Sequence, residues 1–153
     1  MTLNATEVPN FSATLDTGEK ITQQFFENKF YVLFFYPRDD TPGCTIETKD
    51  FSNNKKQFSD LGIELFGVSK DDQSSHEKFK KKHQLSVDLL FDHEGLMCEA
   101  FQVWKEKTMY GKTYQGIERS TFLISKDGKI LKTWRKVKVE GHVQEVIKTA
   151  QAL

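Results

Sequence analysis

Apolar residues along this chain gather into short blocks separated by polar stretches. The block at 31–36 (YVLFFY) is apolar at every position. Such a run predicts a strand covered on both faces, as at the centre of a largely parallel sheet. After it, Ile46, Phe51, Phe58 and Leu61 stand sparsely among polar residues, and Gly62 follows. That pattern predicts an amphipathic helix over 42–61 with a glycine just past its end. Ile63–Ser69 (IELFGVS) predicts a second strand. The SSHE at 74–77 has capping-box spacing and predicts a helix to about residue 84. A short strand is predicted at 89–91 and a short helix at 94–103. Strands at 119–125 and 130–137 flank KDGK, an Asp-Gly hairpin signal. Val143, Val146, Ile147 and Ala150 repeat at helical spacing near the end, and Phe25 and Phe26 read as packing a short first helix.

Strand, helix, strand, helix, then a hairpin and a last helix is the order of a thioredoxin-like α/β fold: a mixed central sheet flanked by helices. No repeat, linker or low-complexity tract interrupts it, so residues 1–153 are expected to form a single domain, a size that buries a sufficient core without staples.

Composition narrows the class. Of the residues, 37% are apolar and 29% charged, with 22 basic and 22 acidic side chains in balance. A neutral chain has no general attraction to nucleic acid or anionic membrane. The KFKKK at 78–82 therefore reads as a solvated helix face. The apolar runs are far shorter than a membrane span, and the first residues lack a basic-then-apolar signal pattern. A cytoplasmic protein is expected. His76, His83, His93 and His142 show no metal-ligand spacing and read as surface residues, while Trp104 and Trp134 read as core or pocket-rim aromatics.

Two cysteines, Cys44 and Cys98, are all the chain has, which favours reactive thiols over a disulfide framework. Cys44 follows the central strand by a few residues, in the first turn of the predicted helix. Reaction sites in open α/β sheets gather at the carboxyl ends of strands. The free N–H groups of a helix start favour negative charge, so they bias a thiol towards the reactive thiolate. Thr41 precedes Cys44 by one helical turn and has a hydroxyl for the thiol or a bound oxygen. Pro42 suits the first helical turn, and Gly43 lets a ligand approach the backbone. A plain strand-to-helix turn around an inert cysteine fits the same spacing. Arg119, just before the apolar TFLI, fits either a site residue or a surface ion pair.

Pro37, Thr41 and Cys44 stand as P-x-x-x-T-x-x-C, which resembles the peroxiredoxin active-site motif, and CTIE after it resembles the Q-type branch, the bacterioferritin comigratory proteins. The likeness extends through FGVSKDD, LLFD, KEKTMYGKTYQGIERSTFLISKDGKI and WRKVKVEGH. The resemblance implies hydroperoxide reduction by a thiolate without metal or organic cofactor. It makes Cys44 the peroxidatic cysteine, Thr41 and Arg119 the side chains that hold peroxide oxygens and thiolate, Pro37 the shield of the pocket, and Glu47 the partner that orients an arginine. It also implies a monomer recycled by a thioredoxin or glutaredoxin-like reductant.

One departure stands out. Where many members of this branch carry their resolving cysteine, this chain has Lys49. Cys98, in LMCEAF, resembles the resolving cysteine of a smaller group that places it on a later helix; a small buried residue beside Leu96, Ala100 and Phe101 is the other reading. A disulfide exchanger would need a C-x-x-C pair, which Thr41-Pro-Gly-Cys44 is not. The non-catalytic alternative is a redox sensor or holdase switched by oxidation of Cys44.

Overall fold

The computed structural model describes residues 7–92 and 94–153. In chain order these form β1 (Ser12–Leu15), β2 (Lys20–Thr22), a 3₁₀ turn (Gln23–Phe26), β3 (Phe30–Phe35), α1 (Pro42–Asn53), α2 (Lys55–Asp60), β4 (Ile63–Ser69) and α3 (Gln73–His83). There follow β5 (Asp88–Phe91), α4 (Leu96–Ala100), β6 (Trp104–Met109), β7 (Lys112–Ile117), β8 (Ser120–Ile124), β9 (Ile130–Trp134) and α5 (His142–Gln151). Seven strands make one mixed sheet in the order β2-β1-β5-β4-β3-β8-β9, with β6 and β7 as a separate two-stranded ribbon. The β3, β4 and β5 strands run parallel, and β8 joins β3 antiparallel. No helix among the described residues is long and apolar enough to cross a membrane.

The unbroken apolar block of β3 supplies both faces of the sheet, as its pattern predicts. Leu33 and Phe35 point into one core with Phe66, Val68, Phe122 and Phe101. Val32, Phe34 and Tyr36 point into the other, against Phe51 of α1, Phe58 of α2, Phe79 of α3 and Val146 of α5. Each fully buried aromatic of this kind contributes about 1.5–3 kcal/mol of transfer free energy. The helices α1, α2, α3 and α5 thus share one face, while α4 lies against the other.

Several boundaries differ from the sequence reading. The helix predicted over 42–61 breaks at Asn54, whose side-chain amide donates to Asp50 O at 2.8 Å and so competes with the helical ladder. The α3 helix starts before the SSHE box, because Asp72 Oδ1 accepts from Ser75 N at 2.8 Å and caps it. The α4 helix is shorter than 94–103: Gly95 opens it at φ 74° and Gln102, at φ 57°, is already left-handed. The β1–β2 pair and the ribbon were not predicted. Both are short or mostly polar, and the ribbon turns on Tyr110-Gly111, both at positive φ as a two-residue primed turn requires. His76 and His142 are buried rather than on the surface, 0% and 4% exposed, since each finds a polar partner inside. His93 lies outside the described residues.

Gly67 of β4 is where the sheet leaves least room. A Cβ there would stand 2.8 Å from the Phe34 ring and 2.9 Å from Leu89 Cδ2. Gly67→Ala should therefore lower the unfolding free energy by about 1–3 kcal/mol through overpacking. Urea unfolding with an unchanged slope checks this, and an unshifted midpoint would contradict it.

Candidate active site

The loop after β3 and the start of α1 lie at the carboxyl end of the central strands. Pairing of β3 with β8 sets Phe35 opposite Ser120, which leaves Arg119 beside that same end. Register thus brings together two residues far apart in sequence.

Arg119 Nη2 donates to Cys44 Sγ at 3.3 Å, and Arg119 Nη1 donates to Glu47 Oε1 at 2.7 Å. One guanidinium fork therefore spans the first turn of α1, gripping positions 44 and 47 on the same helix face. Gly43 makes room for it: a Cβ there would lie 3.2 Å from Arg119 Nη2. Thr48 Oγ1 donates to Cys44 O at 2.6 Å. Cys44 itself is 1% exposed and carries a free thiol.

The electrostatics follow from burial. Glu47 is fully buried and its Oε2 has no hydrogen-bond partner among the described residues. Loss of solvation pushes its carboxyl up to about 7, although the Arg119 charge and hydrogen bond pull the other way. Burial alone would weaken the Arg119 charge, but Glu47 and Cys44 outweigh it and hold the guanidinium above its ordinary value. Lys107, on the ribbon, is held below the usual lysine range by partial burial and by Arg119, with Cys44 and Glu118 acting in the opposite sense. The polar ribbon therefore brings a second cation within electrostatic range of the sulfur. Sequence reasoning missed it, because a lysine in an exposed polar stretch carries no local signal.

The other predicted residues fall as follows. Thr41 is the residue before α1, and its hydroxyl donates to Arg38 O at 2.9 Å rather than to the sulfur. Pro37 is exposed on the same loop. Cys98 is apart from this group. It is 0% exposed in α4, its thiol pushed well up by burial and then by Asp92. Asp92 accepts from Met97 N at 3.0 Å and Cys98 N at 2.9 Å, so one carboxylate caps the short helix. Cys44 belongs to the core that holds Val32, Phe34 and Tyr36, and Cys98 to the one that holds Leu33 and Phe35. The two sulfurs thus belong to opposite faces of the sheet. His142 Nε2 lies 2.8 Å from Thr121 Oγ1, and burial, with Arg119 adding to it, pushes the ring down to about 4, so it is neutral here.

A buried thiol held by a guanidinium, itself anchored by a carboxylate, can attack an electrophilic oxygen and keep the developing charge paired.

Residues 5–133 match the AhpC/TSA family. The chain is 48% identical over 143 residues to a Bacillus subtilis protein named Peroxiredoxin Bcp, covering 94% of this chain and 91% of that one. It is 35% identical over 139 residues to Peroxiredoxin Bcp of Escherichia coli, covering 91% and 89%. A solved structure of Xanthomonas campestris Peroxiredoxin Q superposes with a TM-score of 0.87 at 42% identity, over 93% of this chain and 90% of that one.

The Glu47 carboxyl gives a test that depends on sign. Its folded value, about 7, lies above the ordinary 4.5, so its favourable contribution is complete below pH 4.5 and is lost as the pH rises through about 7. Against Glu47→Gln, which cannot ionise, the wild type should lose about 3 kcal/mol of stability across that window. Urea unfolding of both proteins over the window checks this. A pH-independent gap would contradict the burial argument.

Proposed function

The chain belongs to the AhpC/TSA family and within it to the Q-type peroxiredoxins, and on that premise we propose that Cys44 is the thiol that attacks the peroxide, with Arg119 as its electrostatic partner. The protein is a thiol peroxidase acting on hydroperoxides. A structure of the Xanthomonas relative is described in terms of alkyl peroxide reduction, which supports organic hydroperoxides as substrates beside hydrogen peroxide.

In the first step the Cys44 thiolate attacks the terminal oxygen of ROOH. An S–O bond forms, the O–O bond breaks, and the leaving RO⁻ takes a proton to give ROH. Sulfur is oxidised to the sulfenic acid and the peroxide is reduced. The observation that carries this reading is the 3.3 Å contact between Arg119 Nη2 and Cys44 Sγ, with Glu47 holding the other arm of the fork. Thr41, one turn before the sulfur, is read as the hydroxyl that turns to the bound oxygen, and Pro37 as the cover of the loop.

The second step is read as attack of the Cys98 thiolate on the Cys44 sulfenic acid, which forms the S–S bond and releases water after protonation. Because the sulfurs belong to opposite faces of the sheet, α4 or the first turn of α1 has to open first. The five-residue α4, capped by Asp92 at its start and by Arg135 at Phe101 O, is the shorter of the two and is read as the one that opens. A thioredoxin or glutaredoxin-like dithiol then takes the disulfide and returns both thiols. A cytoplasmic monomer suits a chain whose two cysteines work as free thiols. The same separation of the sulfurs, with the raised Cys98 thiol, favours a second reading in which an external thiol resolves Cys44 directly.

Cys44→Ser should abolish peroxide consumption, since a serine hydroxyl is barely ionised near neutral pH; wild-type turnover in that variant would refute the assignment. Cys98→Ser should react once with peroxide at near wild-type speed. It should then stall as a sulfenic acid, lose most thioredoxin-linked turnover and over-oxidise to the sulfinic form. Mass spectrometry and thioredoxin-coupled NADPH oxidation check this. Undiminished turnover in Cys98→Ser would instead support the external thiol. A sensor or holdase would consume about one peroxide per chain even with reductant present.

A further inference from the structure

A second buried polar cluster borders the site and takes no part in the chemistry above. At its centre is Asp39, 9% exposed, in the loop that joins β3 to Thr41 and Cys44. Its Oδ1 accepts from Tyr36 Oη at 2.6 Å, and its Oδ2 accepts from Ser75 Oγ at 2.7 Å. The same Oδ2 lies 2.8 Å from Nδ1 of His76, whose Nε2 lies 3.0 Å from Leu90 O. A carbonyl oxygen can only accept, so Nε2–H donates to Leu90, and Nδ1 faces a carboxylate that already receives two hydroxyls. From the other side, Asp39 N donates to Asp71 Oδ2 at 2.7 Å.

The side chain of one loop residue is thus held by α3, and its main chain by the turn just before it. The next residue, Asp40, sits at φ 58°, a left-handed conformation that aspartate tolerates better than most side chains. Its carboxylate bridges to Lys82 and His83, again on α3, each at 2.7 Å. Thr41 follows immediately. The backbone that leads into Thr41 is therefore tied to α3, while Thr41 O accepts from Thr45 N of the helix it opens at 2.8 Å.

We propose that Asp39 and His76 are positioning residues for the peroxide reaction: their buried contact holds the 37–41 loop in the geometry that presents Thr41 beside Cys44. The proposal rests on Cys44 being the attacking thiol. It separates two properties of the site. Arg119 and Glu47 set the charge around the sulfur, and the Asp39–His76 pair sets where the peroxide oxygens meet it.

The test compares two reactions of Cys44 in the reduced protein. Oxidation by hydrogen peroxide needs the oxygens aligned; alkylation by iodoacetamide needs only a reachable thiolate. Asp39→Ala and His76→Ala should each lower the second-order rate with hydrogen peroxide at least about tenfold, as misplacement of reacting groups does. Alkylation should stay within about threefold of wild type. Asp39→Asn should restore peroxide reactivity, because its amide keeps an oxygen for Tyr36 and offers N–H groups to His76 Nδ1 and Ser75 Oγ. Equal losses in both reactions, unchanged peroxide rates in both alanine variants, or no rescue by Asp39→Asn would overturn the proposal. Should the alanine variants not fold, Ser75→Ala removes one bond to Asp39 from a half-buried position. It should lower the ratio of the two rates about threefold, and an unchanged ratio would overturn the proposal. Cys44→Ser serves as the control: activity surviving in it would refute the attacking-thiol reading, whereas activity lost there but intact in the Asp39 and His76 variants would refute the positioning role alone.

Discussion

The Arg119 guanidinium sits between a buried thiol and a buried carboxylate, and the site is organised around that placement. Taking a carboxylate out of water costs several kcal/mol, and a single ion pair repays it only in part. Glu47 shows the imbalance, with one oxygen paired to Arg119 and the other without a partner among the described residues. The fold accepts this unfavourable burial because Glu47 fixes the one arm of the fork that does not face the sulfur. A guanidinium free to rotate would satisfy itself in solvent; one anchored at Glu47 keeps its second arm on Cys44.

That arrangement depends on the sheet. Ser120 is paired with Phe35, so a slip of one residue between β3 and β8 would turn Arg119 away from α1 and reverse both cores. The alternation of Val32, Phe34 and Tyr36 against Leu33 and Phe35 makes such a slip costly, since every aromatic in the strand would change face. The same alternation keeps Cys98 beneath the sheet while Cys44 lies above it. The rigidity that aims the guanidinium is thus also what an intramolecular disulfide between them would have to overcome, and α4, five residues long, is shorter than α1.

Much of this was legible in the residues. The continuous YVLFFY block, the Pro-Gly-Cys start of α1 and the Asp-Gly hairpin each carry a local physical signal, and each appears in the structure. The β1–β2 pair, four and three residues long, is too short to show a period. The ribbon is mostly exposed and polar, so only its Tyr-Gly turn marks it. The burial of His76 has no local signal, because its partner Asp39 lies 37 positions away. Thr41 stands where expected, yet its hydroxyl turns to Arg38 O, a choice made by loop geometry that spacing cannot report. Contacts between residues distant in the chain were the part that the sequence pattern could not convey.

The central claim is that the Arg119 fork is what makes Cys44 an efficient nucleophile towards peroxide. The most direct measurement is the second-order rate of Cys44 oxidation by hydrogen peroxide, followed by stopped flow in Arg119→Ala and Arg119→Lys beside the wild type. The account predicts a loss of at least about a hundredfold for Arg119→Ala, the usual cost of removing a preorganised donor, and only partial recovery for Arg119→Lys, whose single ammonium cannot hold Glu47 and the sulfur together. A rate for Arg119→Ala within about threefold of wild type would contradict it.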